Sequence, residues 1–159
     1  MNLLPFSRLF VSGLALMGLL WAQNPQIKKV LEKAGLKYSV DKDGDFKLVF
    51  GLENDRSQIV FITSETEQMA DQTIVELWSP GFQAADNEGA AIWTALLADS
   101  QRRKVGAWQA VVSEGKIIAV YKAKIPLSSL TPDFLKAVCI GVASVADEVE
   151  QKVSQEDKF

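Results

Sequence analysis

The segment from Lys104 to Leu127 constrains the fold more than any other part of this 159-residue chain. It reads KVGAWQAVVS, then EG, then KIIAVYKAKIPL. Two apolar runs joined by two residues ending in Gly predict a β-hairpin. Gly115 can take the positive φ that such a turn needs. With Glu114-Gly115 as the turn, Ser113 lies opposite Lys116, Val112 opposite Ile117, Ala110 opposite Ala119, Trp108 opposite Tyr121, and Gly106 opposite Ala123.

Side chains alternate faces along a strand. Gly106, Trp108, Ala110, Val112, Ile117, Ala119, Tyr121, Ala123 and Ile125 therefore share one uncharged face, which needs a cover. The other face carries Gln109, Ser113, Lys116, Lys122 and Lys124, together with Val105, Val111, Ile118 and Val120. A slip of one residue would mix the two sets, so the register is well specified.

The rest of the chain reads as helices and strands around this hairpin. Asn24-Pro25 is a cap followed by a first-turn proline, and Ile27, Val30, Leu31 and Ala34 fall on one helical face before Gly35. Leu36 to Val40 predicts a strand, DKDGD a turn, and Phe46 to Glu53 its partner. Gln58 to Ser64 is a third strand after the Asn54-Asp55 turn. Glu65 to Gln72 reads as a polar loop, and Thr73 to Ser79 as a fourth strand closed by Pro80-Gly81. Asp86 or Asn87 caps a second helix with the stripe Ile92, Trp93, Leu96, Leu97 and Ser100. Thr131-Pro132-Asp133 opens a third helix. Its apolar stripe runs through Phe134, Leu135, Val138, Cys139, Val142, Val145, Ala146, Val149 and Val153. The expected class is α+β: an antiparallel sheet of about five to six strands with three helices, in the order α-β-β-β-β-α-β-β-α. The expected divisions are a leader over 1–22, one domain over 23–153 and a frayed polar tail over 154–159.

The leader differs in kind. One charge, Arg8, precedes LFVSGLALMGLLWA, whose 14 apolar or small residues fit the core of a secretory signal. A membrane span needs about 20 residues. Ala22 suits a cleavage point, although Leu20 is larger than the residue usual two positions earlier. A cleaved signal, an uncleaved anchor and a buried cytoplasmic helix all remain open. The first two place the domain outside the cytoplasm, exported or membrane-anchored, with membrane contact through residues 1–22 if they are retained.

Composition limits the chemistry. The net charge is −3 with no histidine and a single cysteine. One common general base and metal ligand is thus missing, and Cys139 alone excludes an internal disulfide or a cysteine-based zinc site. No long basic run suggests nucleic acid; Arg102-Arg103-Lys104 reads as cations complementing a helix end. Asp41, Asp43 and Asp45 alternate as in a calcium loop. That loop needs Gly where Phe46 stands and Glu where Leu52 stands, so Asp-Gly turn chemistry is the simpler reading. Glu65, Glu67 and Asp71 share a polar loop without an arrangement as acid and base. No catalytic residue, cofactor site or metal site is expected.

Two apolar features suggest contact with partners. On the second hairpin face, Val111 lies opposite Ile118 and Val120 opposite Gln109, rimmed by lysines, which resembles an interface core with a polar border. The alternative is that the third helix covers this face. Trp78 and Phe82, beside Pro80-Gly81, form either a contact site or an ordinary core edge.

The stretches AGLKYSVDKDGDFKLVF, ALLADSQRRKVGAWQAVVSEGKIIAVYKAKIPL and LTPDFLKAVCIGVASVADEVEQKV span most of residues 34–153. Their hydrophobic pattern, with Gly106, Gly115, Pro126 and Ala146-Asp147, resembles the YbjN-like domain family, which is related in fold to type III secretion chaperones. The resemblance implies an α+β domain, often dimeric, that binds proteins or peptides, and it offers no active site to carry over. The expected function is non-enzymatic binding of a protein or peptide, in the manner of a chaperone or adaptor, with a homodimer as one form of partner. Rival readings are a small-ligand sensor, with its ligand between helix and sheet, and an enzyme using Asp41, Asp43 and Glu65.

Overall fold

The structure is a computed structural model and describes residues 23–84, 90–113, 115–154 and 157–159. The leader, the cap at Asp86 or Asn87 and the turn residue Glu114 lie outside the described residues.

The chain forms α1 (Pro25–Lys33), β1 (Ser39–Val40), β2 (Phe46–Gly51), β3 (Ser57–Ile62), β4 (Glu67–Met69), β5 (Gln72–Ala84), α2 (Ala90–Arg102), β6 (Ala107–Ser113), β7 (Lys116–Pro126) and α3 (Pro132–Val153). All strand pairs are antiparallel, in the order β1-β2-β3-β5-β7-β6, with β4 pairing β5. The fold is α+β, with helices packed on an antiparallel sheet, in the expected element order. One strand more than expected is present: β4 forms in the polar stretch 65–72, because Glu67–Met69 can pair with Gln72–Ile74 across the turn between them.

The hairpin register agrees with the sequence reading from Ser113↔Lys116 to Trp108↔Tyr121. It ends one residue early. Gly106 takes φ +85 and leaves the strand, and a Cβ there would stand 2.7 Å from the Lys122 carbonyl oxygen. Gly115 takes φ +75 at the turn.

All three helices cover one face of the sheet. Phe46, Leu48, Val60, Ile62, Val75, Leu77, Ala119, Tyr121, Ala123 and Ile125 pack against Ile27 and Leu31 of α1, Leu96 of α2 and the apolar stripe of α3. These strand residues have one parity in each paired register, so the core lies wholly on the first face. Asn24 caps α1 by accepting from the Gln26 and Ile27 amides, and Thr131 caps α3 by accepting from Phe134. Cys139 is buried, and burial pushes its thiol up to about 12, so it is an inert packing residue.

Two elements depart from expectation. β5 does not stop at Pro80-Gly81 but continues to Ala84 through a register shift between Pro80 and Phe82. There β5 loses its ladder with β3, and side chains replace it. Gln58 donates to the Pro80 carbonyl at 3.1 Å and Ser79 donates to the Ile59 carbonyl at 2.6 Å. These bonds let two polar side chains stay buried without penalty. In α2 the buried positions are Leu96 and Asp99, while Leu97 is 66% exposed. The helix is turned so that Asp99 meets Trp108, whose indole N–H donates to it at 3.0 Å.

The residues read as a frayed tail are tied back in part. Asp157 accepts from the Ser57 amide, and the Lys158 amide donates to Glu150 at 2.8 Å.

Candidate protein-interaction surface

The second face of the sheet has no helix on it among the described residues. Its positions alternate with the core. On β3, Ile59 and Phe61 are half-buried between the buried Gln58, Val60 and Ile62. On β2, Val49 is 62% exposed. Pairing aligns Lys47, Phe61, Trp78, Lys122 and Ala107 in one row across five strands. In this row Phe61 and Trp78 stack with ring centroids 4.4 Å apart and planes 18° apart. Farther along, Pro80, Val120 and Gln109 form a second row, and Gln83, Ile118 and Val111 a third.

A charged ladder borders the aromatic pair. Lys122 bonds Glu76 at 2.5 Å, and Lys124 bonds Glu76 and Glu67, each at 3.0 Å. Burial disfavours the charged form of Glu76, but the hydrogen bonds from Lys122 and Lys124 outweigh it and hold the carboxyl below its usual range. This aromatic pair is bordered on the β7 side by ions already paired within the protein. On that side it can meet a partner through shape and apolar area without stripping a lone charge.

The structure brings Val111, Ile118, Val120 and Trp78 to this one face. Val111 is exposed and Ile118 half-buried, whereas Val120 is enclosed by its neighbours. α3 does not cover them; it lies on the opposite side of the sheet. Phe82 is corrected: it is buried in the core and packs on Trp93, with centroids 5.8 Å apart. Trp78 and Phe82 are four residues apart and would share a face in a regular strand. The register shift between Pro80 and Phe82 inserts one residue, which reverses the parity and turns Phe82 to the helices. Val49, Ile59 and Phe61 were missed as members of the surface. The alternation in Phe46–Glu53 and Gln58–Ser64 carried their signal, once those strands are joined to the hairpin through β5.

The carboxylates singled out in the sequence behave as turn residues. The Asp41 carboxylate accepts from the amides of Asp43 and Asp45, both at 2.9 Å, and Asp45 accepts from Ser64 at 2.8 Å. Burial raises Asp45, opposed by the Ser64 amide and reinforced by the nearby charges of Asp41, Asp43 and Glu65. These carboxylates form no cluster at metal-ligand spacing among the described residues, and two of them spend acceptors on the backbone. Millimolar calcium is therefore expected to leave the melting temperature unchanged within about 1 °C, as for a ligand whose Kd exceeds its concentration. A rise of several degrees in a thermal melt would overturn this.

A second acidic group was not legible in the sequence. Asp147, Glu150 and Asp157 lie with their carboxylate oxygens within 4.8 Å of one another, a spacing that suits a metal ion. The Arg56 guanidinium already supplies the cation, at 2.5 Å from Asp147, 3.0 Å from Glu150 and 3.6 Å from Asp157. The cluster ties the turn before β3 to the end of α3 and to the tail.

No protein-family model matches the chain, and no match is found among curated proteins.

Proposed function

We propose that this protein is a non-enzymatic, chaperone- or adaptor-like domain that binds a protein or peptide on the open face of its sheet. One observation carries the reading: the stacked Phe61–Trp78 pair, with the exposed Val49 and Val111 and the half-buried Ile59 and Ile118, lies on a sheet face that none of the three helices covers. An antiparallel sheet with one solvated face ordinarily presents polar residues there. Apolar strips rimmed by polar groups on such a face mark binding surfaces. The resemblance to YbjN-like domains points the same way. The apolar run over residues 1–22 supports export or membrane anchoring of the domain, although no described helix is long and apolar enough to cross a membrane.

The test is co-purification from envelope extracts with the full chain, with Ile118→Asp and Trp78→Asp as separate variants. Both positions are off the helix-covered core, so the melting temperature should fall by only a few degrees. Capture of a defined protein, or self-association in sedimentation, should weaken about tenfold or more, equivalent to about 1.4 kcal/mol. If the wild type is monomeric and retains no protein, or if both variants retain everything the wild type does, the reading fails.

A further inference from the structure

On the helical side, away from the open sheet face, a groove of about 400 Å³ runs between α3 and the connection from α2 to β6. That volume lies in the range of small-molecule sites, roughly 300–1,000 Å³. On α3 it is lined by the buried Val138, Val142 and Val145 and by the exposed Phe134, Ala137 and Gly141, and from the connection by Val105. Phe134 and Val105 keep more than a third of their surface exposed although they are apolar.

Gly141 sits in the interior of α3, where glycine is unfavourable relative to alanine. Its backbone does not require glycine, and nothing lies within 4 Å of the place a Cβ would take. The missing side chain leaves the groove open at this point; packing does not demand it.

Polar chemistry is confined to one end. Tyr121 lines the groove, but its hydroxyl donates to the Val105 carbonyl. At the mouth stand Arg102, Arg103 and Lys104. Arg103 is engaged by Asp99 and Glu148. The Arg102 side chain is 77% exposed and shares Asp99, and among the described residues Lys104 forms no ion pair. An occupant must therefore be apolar along its length and can be anionic only at this end.

We propose that this groove binds a single acyl chain with a carboxylate head, that is, a fatty acid. Phe134 to Val145 spans roughly 16 Å of helix, about the length of a twelve-carbon chain. The carboxylate would lie at the mouth, against Arg102 and Lys104. The site is separate from the open sheet face, so its failure leaves the protein-binding reading standing.

The test is isothermal titration of the full chain with laurate, dodecanol and dodecyltrimethylammonium, each below its micellar concentration. One laurate per chain is expected at micromolar affinity. Gly141→Leu, which places a side chain in the groove, should lower that affinity about tenfold or more while the melting temperature holds. Arg102→Glu with Lys104→Glu should lower laurate affinity about fivefold or more and leave dodecanol unchanged. Three results would each overturn the proposal: no saturable laurate binding, laurate binding indifferent to Gly141→Leu, or the wild type binding dodecanol or the cationic amphiphile as tightly as laurate.

Discussion

Replacing Arg56 by alanine is expected to lower stability by about 3–5 kcal/mol, the cost of leaving buried charges without their partner. Asp147 and Glu150 are buried, and Glu150 is 0% exposed. Arg56 bonds both and reaches Asp157 as well. The triad itself contributes little net stability, because taking its three charges from water costs nearly what their attraction returns. The loss comes from asymmetry: two carboxylates remain in place with no cation. Burial already raises the Glu150 carboxyl despite the Lys158 amide and Arg56. The melting temperature should fall by about 10 °C or more, read by calorimetry at neutral pH. Lowering the pH should narrow the gap between variant and wild type, because protonating Glu150, whose carboxyl burial already raises, removes uncompensated charge. A loss below about 1 kcal/mol would mean that water reaches the cluster and screens it.

Trp108→Ala is the second large effect, expected at about 3–5 kcal/mol. Three contacts converge on this side chain. Its ring meets Tyr121 edge-on across the hairpin, with centroids 5.4 Å apart. It also fills the space over Gly81, where a Cβ would stand 2.5 Å from the indole. The indole N–H reaches Asp99, which also accepts from Arg102 and Arg103. Burial pushes the Asp99 carboxyl up, but the bonds from Arg103, Trp108 and Arg102 prevail and bring it down to about 2.

Trp108→Phe separates packing from hydrogen bonding. It keeps most of the ring contact and removes one donor from a charged acceptor, a bond worth about 1.5–3 kcal/mol. The folded Asp99 lies below its ordinary value of 3.8, so its contribution is present above that pH and is lost as the pH falls towards about 2. The gap between wild type and Trp108→Phe should shrink over the same window. Urea titrations at pH 7 and pH 2.5 check both statements. A gap that does not change with pH would remove Asp99 from the account.

Much of this architecture follows from short-range pattern. The hairpin register was legible because only one pairing around Gly115 sorts the charges from the core face, and a shift of one residue exposes Trp108 and Tyr121. The helix starts at Asn24-Pro25 and Thr131-Pro132 were legible because a cap needs its side-chain acceptor beside the first turn. The Asp41–Asp45 stretch read as a turn because Gly44 takes positive φ, here +85, and a neighbouring carboxylate can bond the backbone.

What the sequence left undecided depends on residues far apart in the chain. Strand parity held for Trp78 and failed for Phe82, since one inserted residue at Gly81 reverses every side chain after it. Trp108, 27 residues later, packs over this point, where a Cβ on Gly81 would stand 2.5 Å from its ring. The apolar stripe of α3 gave no sign that Asp147 and Glu150 are buried, with Arg56, 91 and 94 positions away, folded back against them. Which sheet face stays open was likewise a tertiary outcome. Each strand announces two faces by alternation, but only the docking of all three helices on the same side decides which one meets solvent.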